Sequence, residues 1–193
     1  VLLIGQDIKR FEGLVEDLLE ISRMDAGAAQ LQLSSIDLQV FLEKVVAQSR
    51  TPDIEINSTD REQSVTIVAD KRRLAQVMSN LISNARKYGG GAKLITYRRI
   101  GESVQIIVED DGPGIPIAER QRVFERFSRG AADAGNRQSG TGVGLGLSLV
   151  AEHIRLHDGK VWVTDRVNGK SGARFVIELP MGDADLDEAE MAV

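Results

Sequence analysis

The sequence has no cysteine among its 193 residues, and this absence excludes several classes of chemistry at once. Disulfide bonds, thiolate metal sites and thiol nucleophiles all require cysteine, so any active group must be of another type. No stretch approaches the roughly 18 consecutive apolar residues of a membrane-spanning helix. Apolar residues nevertheless make up 42% of the chain, which is enough to bury a core. These features predict a soluble chain without a thiol-based site.

The excess of acidic over basic residues is concentrated at the C-terminal end of the chain. Five of the 29 acidic residues lie in 183–193, which leaves 24 acidic against 24 basic residues in 1–182. A neutral body has no general electrostatic attraction for nucleic acid, so we expect no nucleic-acid partner. The sequence begins with Val1 and lacks the basic start and cleavage pattern of a signal peptide. We therefore expect a piece of a longer protein, ending in a disordered acidic tail.

The first 27 residues predict one long amphipathic helix. Apolar residues follow a seven-residue a/d pattern from Ile4 to about Met24, broken by Asp7, and Gly27 supplies a stop. Further apolar positions widen the stripe, which favours a bundle in which the helix has more than one neighbour. An ordinary helix that faces a core would show a similar pattern, so both interpretations stay open.

The rest of the chain predicts helices that alternate with paired strands. The predicted elements are a strand at 31–33, a helix from a cap at Asp37 to about 49, a strand at 64–69, a helix at 71–88, strands at 92–100 and 103–109 in a hairpin, a helix from 143 to about 156, and strands at 160–167 and 173–179 in a second hairpin. The stretch 127–142 has many glycines and few large apolar residues, which predicts a loop. This order indicates a mixed sheet covered on one face, a fold of the α+β class.

Two asparagines and a lysine share one face of the predicted helix at 71–88. Asn80 and Asn84 are four residues apart and Lys87 follows, so a neutral oxygen ligand and a cation can face one target. Magnesium keeps several waters and takes few protein ligands beside phosphate oxygens, so a single amide oxygen is sufficient. This face fits a magnesium nucleotide. Asparagine costs little on an exposed helix, so solvent-facing side chains are the alternative.

An aspartate followed by glycines stands where the predicted strand 103–109 ends. The carboxylate of Asp111 can accept a hydrogen bond from an exocyclic amine such as that of adenine, while Gly112 and Gly114 permit close approach of the backbone. Such a bond to a charged group contributes roughly 1.5 to 3 kcal/mol, enough to select one base over another. A plain Asp-Gly turn is the alternative.

Three glycines lie at the start of the predicted helix 143–156, namely Gly142, Gly144 and Gly146. Each costs about 0.5 to 1 kcal/mol in a helical position. Bare backbone N–H groups and the dipole of a helix N-terminus favour phosphate, which supplies a reason for that cost. The arginines of the preceding loop, which either fold over a triphosphate or remain solvated, are Arg126, Arg129 and Arg137.

In order and spacing, these segments resemble the sequence boxes of the ATP-binding domain of two-component sensor histidine kinases, within the GHKL ATPase and kinase superfamily. The matching segments are 80–88 for the N box, 111–115 for the first glycine box, 124–127 for the F box and 140–147 for the second glycine box. Residues 11–27 are similar to the second helix of the family's dimerisation domain. The resemblance implies a two-layer α/β sandwich with a mixed sheet in 28–182, preceded by one helix of a dimerisation bundle in 1–27.

The resemblance also implies two bound cofactors, ATP and Mg, and the residues that hold them. It implies that Asn84 ligates Mg, that Asp111 reads adenine, and that the loop from about Glu125 to Thr141 is a lid over the nucleotide. Supporting roles are implied for Asn80 and Arg126. The implied ATP-binding residues are Asn80, Asn84, Lys87, Tyr88, Asp111, Gly112, Gly114, Ile115, Phe124, Phe127, Arg129, Gly140, Thr141, Gly142, Val143, Gly144, Leu145, Gly146 and Leu147.

The expected function is transfer of the γ-phosphoryl group of ATP to a histidine by the catalytic region of a sensor histidine kinase. The resemblance implies that hydrolysing members of the superfamily have a Glu, which activates water, at the position of Asn80. Without that carboxylate, phosphoryl transfer is favoured over hydrolysis. His153 and His157 lie late in the chain, so the acceptor histidine is expected outside this fragment. The alternatives are a noncatalytic nucleotide-binding or dimerisation module and a hydrolysing ATPase.

The resemblance implies partners and a location as well. The implied partners are the helix that carries the acceptor histidine, in the same protein or a dimer partner, and a response regulator. The full protein is expected to be a homodimer. The implied location is the cytoplasmic portion of a membrane-anchored sensor.

Overall fold

The computed structural model describes residues 2–49, 51, 53–59, 64–128, 144–167 and 169–182. Its first element is the long helix α1 (Leu2–Asp25), and Gly27, with a φ of 65°, lies two residues after its end. The other elements are β1 (Leu33–Asp37), α2 (Leu38–Gln48), β2 (Glu55–Ser58), β3 (Thr66–Asp70), α3 (Lys71–Tyr88), β4 (Ala92–Ile100), β5 (Ser103–Asp110), α4 (Gly146–Leu156), β6 (Lys160–Asp165) and β7 (Ala173–Pro180). None of the helices in this described part has the length and apolar character needed to cross a membrane.

A five-stranded mixed sheet forms one layer of the fold, with strand order β2-β4-β5-β7-β6. Neighbouring strands are antiparallel except for β2 and β4, which are parallel. Val104, Ile106 and Val108 of β5 join a single core with buried residues of α2, α3 and α4. Strands β1 and β3 form a separate antiparallel pair. The structure confirms the prediction of a two-layer α+β sandwich with a mixed sheet.

Helix α3 begins and ends where the sequence pattern places it. Asp70 caps its N-terminus by accepting a hydrogen bond from Arg73 N at 3.0 Å, and Gly89 follows its last residue. Apolar residues three or four positions apart bury one side of this helix. They are Leu74, Val77, Met78, Leu81, Ile82 and Ala85. The opposite edge of the helix is left for the polar side chains that the sequence analysis selected.

Two strands differ from the predictions. The strand predicted at 31–33 lies at Leu33–Asp37, where Ile36 alone is buried, so its apolar signal is weak. Asp37 pairs with Thr66 and also caps α2 by accepting a hydrogen bond from Val40 N at 3.0 Å, which merges the strand end with the helix start. Strand β2 was not predicted, because its four residues contain one large apolar side chain and pair along one edge only.

The C-terminal end of α1 is held against α4 by an apolar contact. Ile21 forms a buried cluster with Leu145, which precedes α4, and Leu149, which lies within it. Met24, one turn further along α1, is also buried, with 3% of its surface exposed. The end of the long helix therefore packs on the segment that leads into α4.

A charged contact accompanies this apolar one. Glu20 Oε1 lies 3.2 Å from Arg73 Nη1, and Glu20 Oε2 lies 3.8 Å from His153 Nε2. Arg73 Nη1 is also 3.4 Å from His153 Nδ1, so Nδ1 is the acceptor and the ring proton lies on Nε2. The His153 side chain has no exposed surface, and burial lowers its pKa to about 4. The imidazole is therefore neutral in the folded protein.

We expect the folded state to lose about 2 kcal/mol of stability between pH 7 and pH 5. The reason is that His153 binds a proton in the unfolded state over this range but stays neutral in the folded state. The folded pKa is lower than the unfolded value of 6.5, so this contribution is complete above pH 6.5 and declines as the pH falls towards 4. Urea unfolding at both pH values measures it. In the variant His153→Leu the same fall should be much smaller. An equal fall in the variant would assign the effect to other groups.

Candidate functional site

The candidate site lies along the C-terminal half of α3, between the end of β5 and the start of α4. At one end, a Cβ on Gly112 would stand 2.5 Å from Gly89 Cα and 2.9 Å from the carbonyl oxygen of Tyr88. At the other end, a Cβ on Gly146 would stand 3.7 Å from Asn80 Oδ1. The eight-residue step from Asn80 to Tyr88 corresponds to about 12 Å of helix. Three sequence segments therefore meet along one elongated site.

The polar side chains of α3 lie where the sequence analysis expected them, on one edge of the helix. Asn80 Nδ2 is buried and has no hydrogen-bond partner among the described residues. A buried donor without an acceptor costs about 1 to 3 kcal/mol, which a ligand oxygen beside it would recover. Asn84 is half-buried one turn further along, and Lys87 and Tyr88 are exposed at the end of the helix. The edge therefore offers an unused buried donor followed by more accessible polar groups.

Asp110 is the buried carboxylate at the end of β5. It shares the parity of Val108, so it points to the helix side of the sheet, and 5% of its surface is exposed. Its Oδ1 accepts hydrogen bonds from the backbone N–H groups of Gly112 and Ala173, both at 2.9 Å. A Cβ on Gly89 would overlap this carboxylate. Among the described residues nothing donates to Oδ2, which leaves one oxygen of a fixed carboxylate for a ligand.

Asp111, to which the sequence analysis gave the base-reading role, is placed differently. Its side chain is 50% exposed and forms an ion pair with Arg166, which follows β6. Sequence reasoning missed its buried neighbour, although the signal was present. The spacing of an aspartate, one residue, a glycine, one residue and a glycine is met by Asp110, Gly112 and Gly114. We therefore assign the role to Asp110 in the proposal below.

The described start of the predicted lid, residues 125–128, contacts Gly144, which lies three residues beyond its predicted end. Phe127 N donates a hydrogen bond to the carbonyl oxygen of Gly144 at 3.0 Å, and both residues have a positive φ, 60° and 78°. Phe127 is exposed. Arg126 lies 3.8 Å from Glu152 of α4, as an ion pair. The remaining predicted residues of this segment lie outside the described residues, and they are Arg129, Arg137, Gly140, Thr141, Gly142 and Val143.

Four apolar residues that were predicted to bind ATP contribute packing. The Phe124 ring packs edge-on against Phe175, with centroids 6.3 Å apart and an interplanar angle of 87°. Ile115 and Leu147 pack against the main core, and Leu145 is buried in the contact with α1. A motif does not separate side chains that line a site from those that support it. The packing of these four residues fixes the backbone of the site from behind, and their direct contact with ATP stays a prediction.

The residues present fit a magnesium nucleotide. The buried and unpartnered Asn80 amide lies beside Gly146 at the start of α4, where backbone N–H groups favour phosphate. Gly112 lets the backbone after β5 pack directly against the end of α3, which brings the Asp110 carboxylate next to this helix. No cluster of three acidic or histidine side chains able to hold a metal occurs among the described residues. A magnesium ion here would depend on an amide oxygen and on phosphate oxygens, a donor set that this ion accepts.

Residues 69–183 match the family model described as histidine kinase-, DNA gyrase B- and HSP90-like ATPase. Among curated proteins, the chain is similar to the signal transduction histidine-protein kinase AfsQ2 of Streptomyces coelicolor, with 34% identity over 181 residues that cover 93% of this chain and 32% of that protein. It is also similar to the probable sensor histidine kinase TcrY of Mycobacterium tuberculosis, with 32% identity over 182 residues that cover 92% of this chain and 37% of that protein.

A solved structure supports the same relationship. The fold is similar to that of full-length ShkA in complex with AMPPNP, with a TM-score of 0.73, 32% identity, and coverage of 89% of this chain and 36% of ShkA. The chain thus spans about a third of the length of the curated relatives named above.

Proposed function

Because this chain belongs to the histidine kinase-, DNA gyrase B- and HSP90-like ATPase family, we propose that it binds Mg-ATP as the catalytic region of a sensor histidine kinase. In this proposal it transfers the γ-phosphoryl group to a histidine outside the chain. The observation that carries the proposal is the buried Asn80 amide, which has no partner among the described residues and lies beside the first residue of α4. It is a donor without an acceptor at the place where a phosphate would be held.

The roles of the residues follow from their positions along α3. We assign adenine recognition to the free oxygen of Asp110, because it is an acceptor on a carboxylate that two backbone N–H groups hold in place at one end of the site. The phosphates lie at the other end, near Asn80 and the backbone of Gly144 and Gly146. Asn84, between the two ends, supplies the amide oxygen for Mg. When bound, that ion neutralises charge on the phosphates.

Lys87 and Tyr88 complete the predicted set of nucleotide contacts at the exposed end of α3. Both are accessible, and the Tyr88 carbonyl oxygen adjoins Gly112 in the part of the site assigned to the base. The ammonium of Lys87 is a flexible cation that suits a negatively charged ligand. We assign both residues to nucleotide binding, and Arg126 to a supporting role.

Transfer is favoured over hydrolysis by the composition of α3. The helix contains no Asp or Glu between Lys71 and Tyr88, so no carboxylate on it can act as general base for water. The two histidines of the chain are poor acceptors, because both are buried. His157 Nδ1 donates to the carbonyl oxygen of His153 at 2.7 Å, and His157 Nε2 accepts from Asp70 N at 3.0 Å. Neither ring is accessible to a nucleotide, so the acceptor belongs elsewhere.

The exposed stripe of α1 supports a role in dimerisation. Apolar residues on the described part of this helix that are exposed are Phe11, Val15, Leu18 and Leu19. Helices with such a stripe bury it against other helices, so we propose that 1–27 belong to the dimerisation bundle of a homodimer and 28–182 to the catalytic domain.

A response regulator is the proposed partner. The histidine kinase ThkA, which shares the fold at 24% identity and a TM-score of 0.70, has been solved in complex with the response regulator TrrA. We also propose a cytoplasmic location, as part of a membrane-anchored sensor.

Calorimetric titration with ATP, with and without Mg, tests the proposal. We expect Mg to tighten ATP binding. Asn84→Ala deletes the proposed amide ligand, so it should reduce the gain in affinity that Mg provides by about tenfold, which corresponds to about 1.4 kcal/mol. Ser79→Ala, an exposed position on the same helix, is the matched control and should bind as the wild type does.

Each alternative function predicts a different result. A folded chain that does not bind ATP would favour the scaffold over the kinase. Steady release of inorganic phosphate by the chain alone would favour a hydrolysing ATPase. Mg-dependent binding without phosphate release supports the kinase, and labelling of an added acceptor helix with the γ-phosphate would then test transfer directly.

A further inference from the structure

A buried arginine, Arg166, contacts the end of β5 from the side opposite the candidate site. Arg166 Nη1 donates a hydrogen bond to the carbonyl oxygen of Asp110 at 3.3 Å and forms an ion pair with the Asp111 carboxylate. Its Nε lies 3.4 Å from Glu109 Oε2, and only 8% of its side chain is exposed. One guanidinium therefore contacts three successive residues, through one backbone group and two carboxylates. Such a fork is a geometry that arginine can form and lysine cannot.

The connection between β6 and β7 makes further contacts that hold the end of β5 in place. Ser171 Oγ donates to the carbonyl oxygen of Gly112 at 2.6 Å, and Ala173 N donates to Asp110 Oδ1 at 2.9 Å. Gly172 has a φ of 140°, and a Cβ on it would overlap the carbonyl oxygen of Asp110 and stand 2.7 Å from Arg166 Cδ. The glycine thus makes room for the arginine and the strand end to meet.

Electrostatics add a second reason for this arrangement. Glu109, Asp110 and Asp111 are three consecutive acidic residues, and like charges this close oppose one another. Arg166 neutralises the two outer carboxylates on the far side of the sheet, and Arg174 assists with Nε 3.2 Å from Glu109 Oε1. The middle carboxylate is left with only its two backbone donors. The second oxygen of the Asp110 carboxylate is therefore held in one orientation.

We propose that Arg166 is a positioning residue for base recognition, which holds the Asp110 carboxylate in the orientation that accepts a hydrogen bond from the adenine amine. The proposal rests on the function proposed above. It predicts a property that a merely structural arginine would not control, the preference for ATP over inosine triphosphate, which carries a carbonyl oxygen in place of the amine. A change that only lowers stability affects both nucleotides alike.

The test is calorimetric titration of the full chain with each nucleotide in Mg buffer, for the wild type, Asp110→Asn and Arg166→Met. We expect Arg166→Met to weaken ATP binding about tenfold, equivalent to about 1.4 kcal/mol, while binding of inosine triphosphate changes less than about twofold. Arg166→Lys keeps the charge without the fork and should fall between the wild type and Arg166→Met. It also decides the question if the Met variant does not fold.

Arg120→Met is the matched control. This arginine also bonds one carbonyl oxygen and one carboxylate, those of Ile115 at 3.0 Å and Asp165 at 2.6 Å, but it does not contact residues 109–111. Its substitution should leave the nucleotide preference unchanged.

The outcomes separate this inference from the function on which it rests. If the folded Arg166 variants keep the wild-type preference for ATP and Asp110→Asn loses it, the positioning role alone is overturned. A wild type without any preference, or one that Asp110→Asn does not alter, would overturn base recognition by Asp110 and the positioning role with it. Loss of preference in Arg166→Met but not in Arg120→Met supports the inference.

Discussion

Replacing Asp110 by Asn is expected to weaken ATP binding by about a hundredfold or more, whereas the same change at Asp111 should alter it by less than about threefold. The reason lies in the two oxygens of Asp110. Oδ1 accepts from Gly112 N and Ala173 N, and an Asn side chain can retain both bonds through its own oxygen. The free oxygen then becomes an amide nitrogen, which places a donor against the adenine amine, another donor. Losing a charged hydrogen bond and leaving donors opposed costs about 3 kcal/mol.

The pair of variants makes this prediction sharp, because the two residues are adjacent and the substitution is the same. Asp111 is half exposed and is held by Arg166, away from the helix face of the sheet. Isothermal titration with ATP and with inosine triphosphate measures both variants. Asp110→Asn should bind inosine triphosphate at least as well as the wild type does, since its new donor faces a carbonyl oxygen. Loss of ATP binding in Asp111→Asn with retention in Asp110→Asn would reverse the assignment.

This adjacent pair also illustrates where the sequence was informative and where it was not. The motif predicted the position of the buried carboxylate to within one residue, because an acidic residue and two glycines after a strand are a strong local signal. The spacing of Asp110, Gly112 and Gly114 could have separated the two neighbouring carboxylates, and the parity of β5 agrees with it, because it turns Asp110 towards α3 and leaves Asp111 exposed.

Leu145 shows a second limit of local pattern. It lies within the second glycine box of the resemblance, so the sequence analysis predicted the same role for it as for its glycine neighbours. The structure buries it against Ile21 and Leu149, a contact between α1 and α4 that joins residues more than 120 positions apart. No local periodicity encodes such a pairing. Helix α3, by contrast, was predicted with correct bounds, because its apolar stripe and the glycines that follow it are local signals in the sequence.

Arg166 and Gly172 were invisible to sequence reasoning for a related cause. The hairpin that carries them follows the site by more than 50 residues and contains no nucleotide motif, so it was assigned only as two strands and a turn. Its contacts with 109–112 arise because β7 pairs with β5, which brings Arg174 opposite Glu109. The end of the candidate site around Asp110 is therefore built partly from a segment that the motifs do not mark.

The glycine at 172 carries the largest expected effect on stability. Gly172→Ala should destabilise the fold by about 3 to 5 kcal/mol, because its Cβ would overlap the Asp110 carbonyl oxygen and backbone atoms must move to relieve the clash. Gly169→Ala, in the same hairpin, is the matched control. Its φ of 70° disfavours a side chain, but nothing lies within 4 Å of the added carbon, so the strain alone should cost about 1 kcal/mol. Urea unfolding of both variants measures the difference.

The same pair links stability to the proposed site. A ligand that binds only the folded state raises stability in proportion to its affinity, so saturating Mg-ATP should stabilise Gly169→Ala as much as it stabilises the wild type. In Gly172→Ala the displaced Asp110 backbone also moves the base-reading carboxylate, so the stabilisation by ATP should be smaller even where the variant is still folded. Equal stabilisation of both variants would mean that the end of β5 tolerates displacement without loss of base recognition, and that the close fit of Gly172 serves the fold alone.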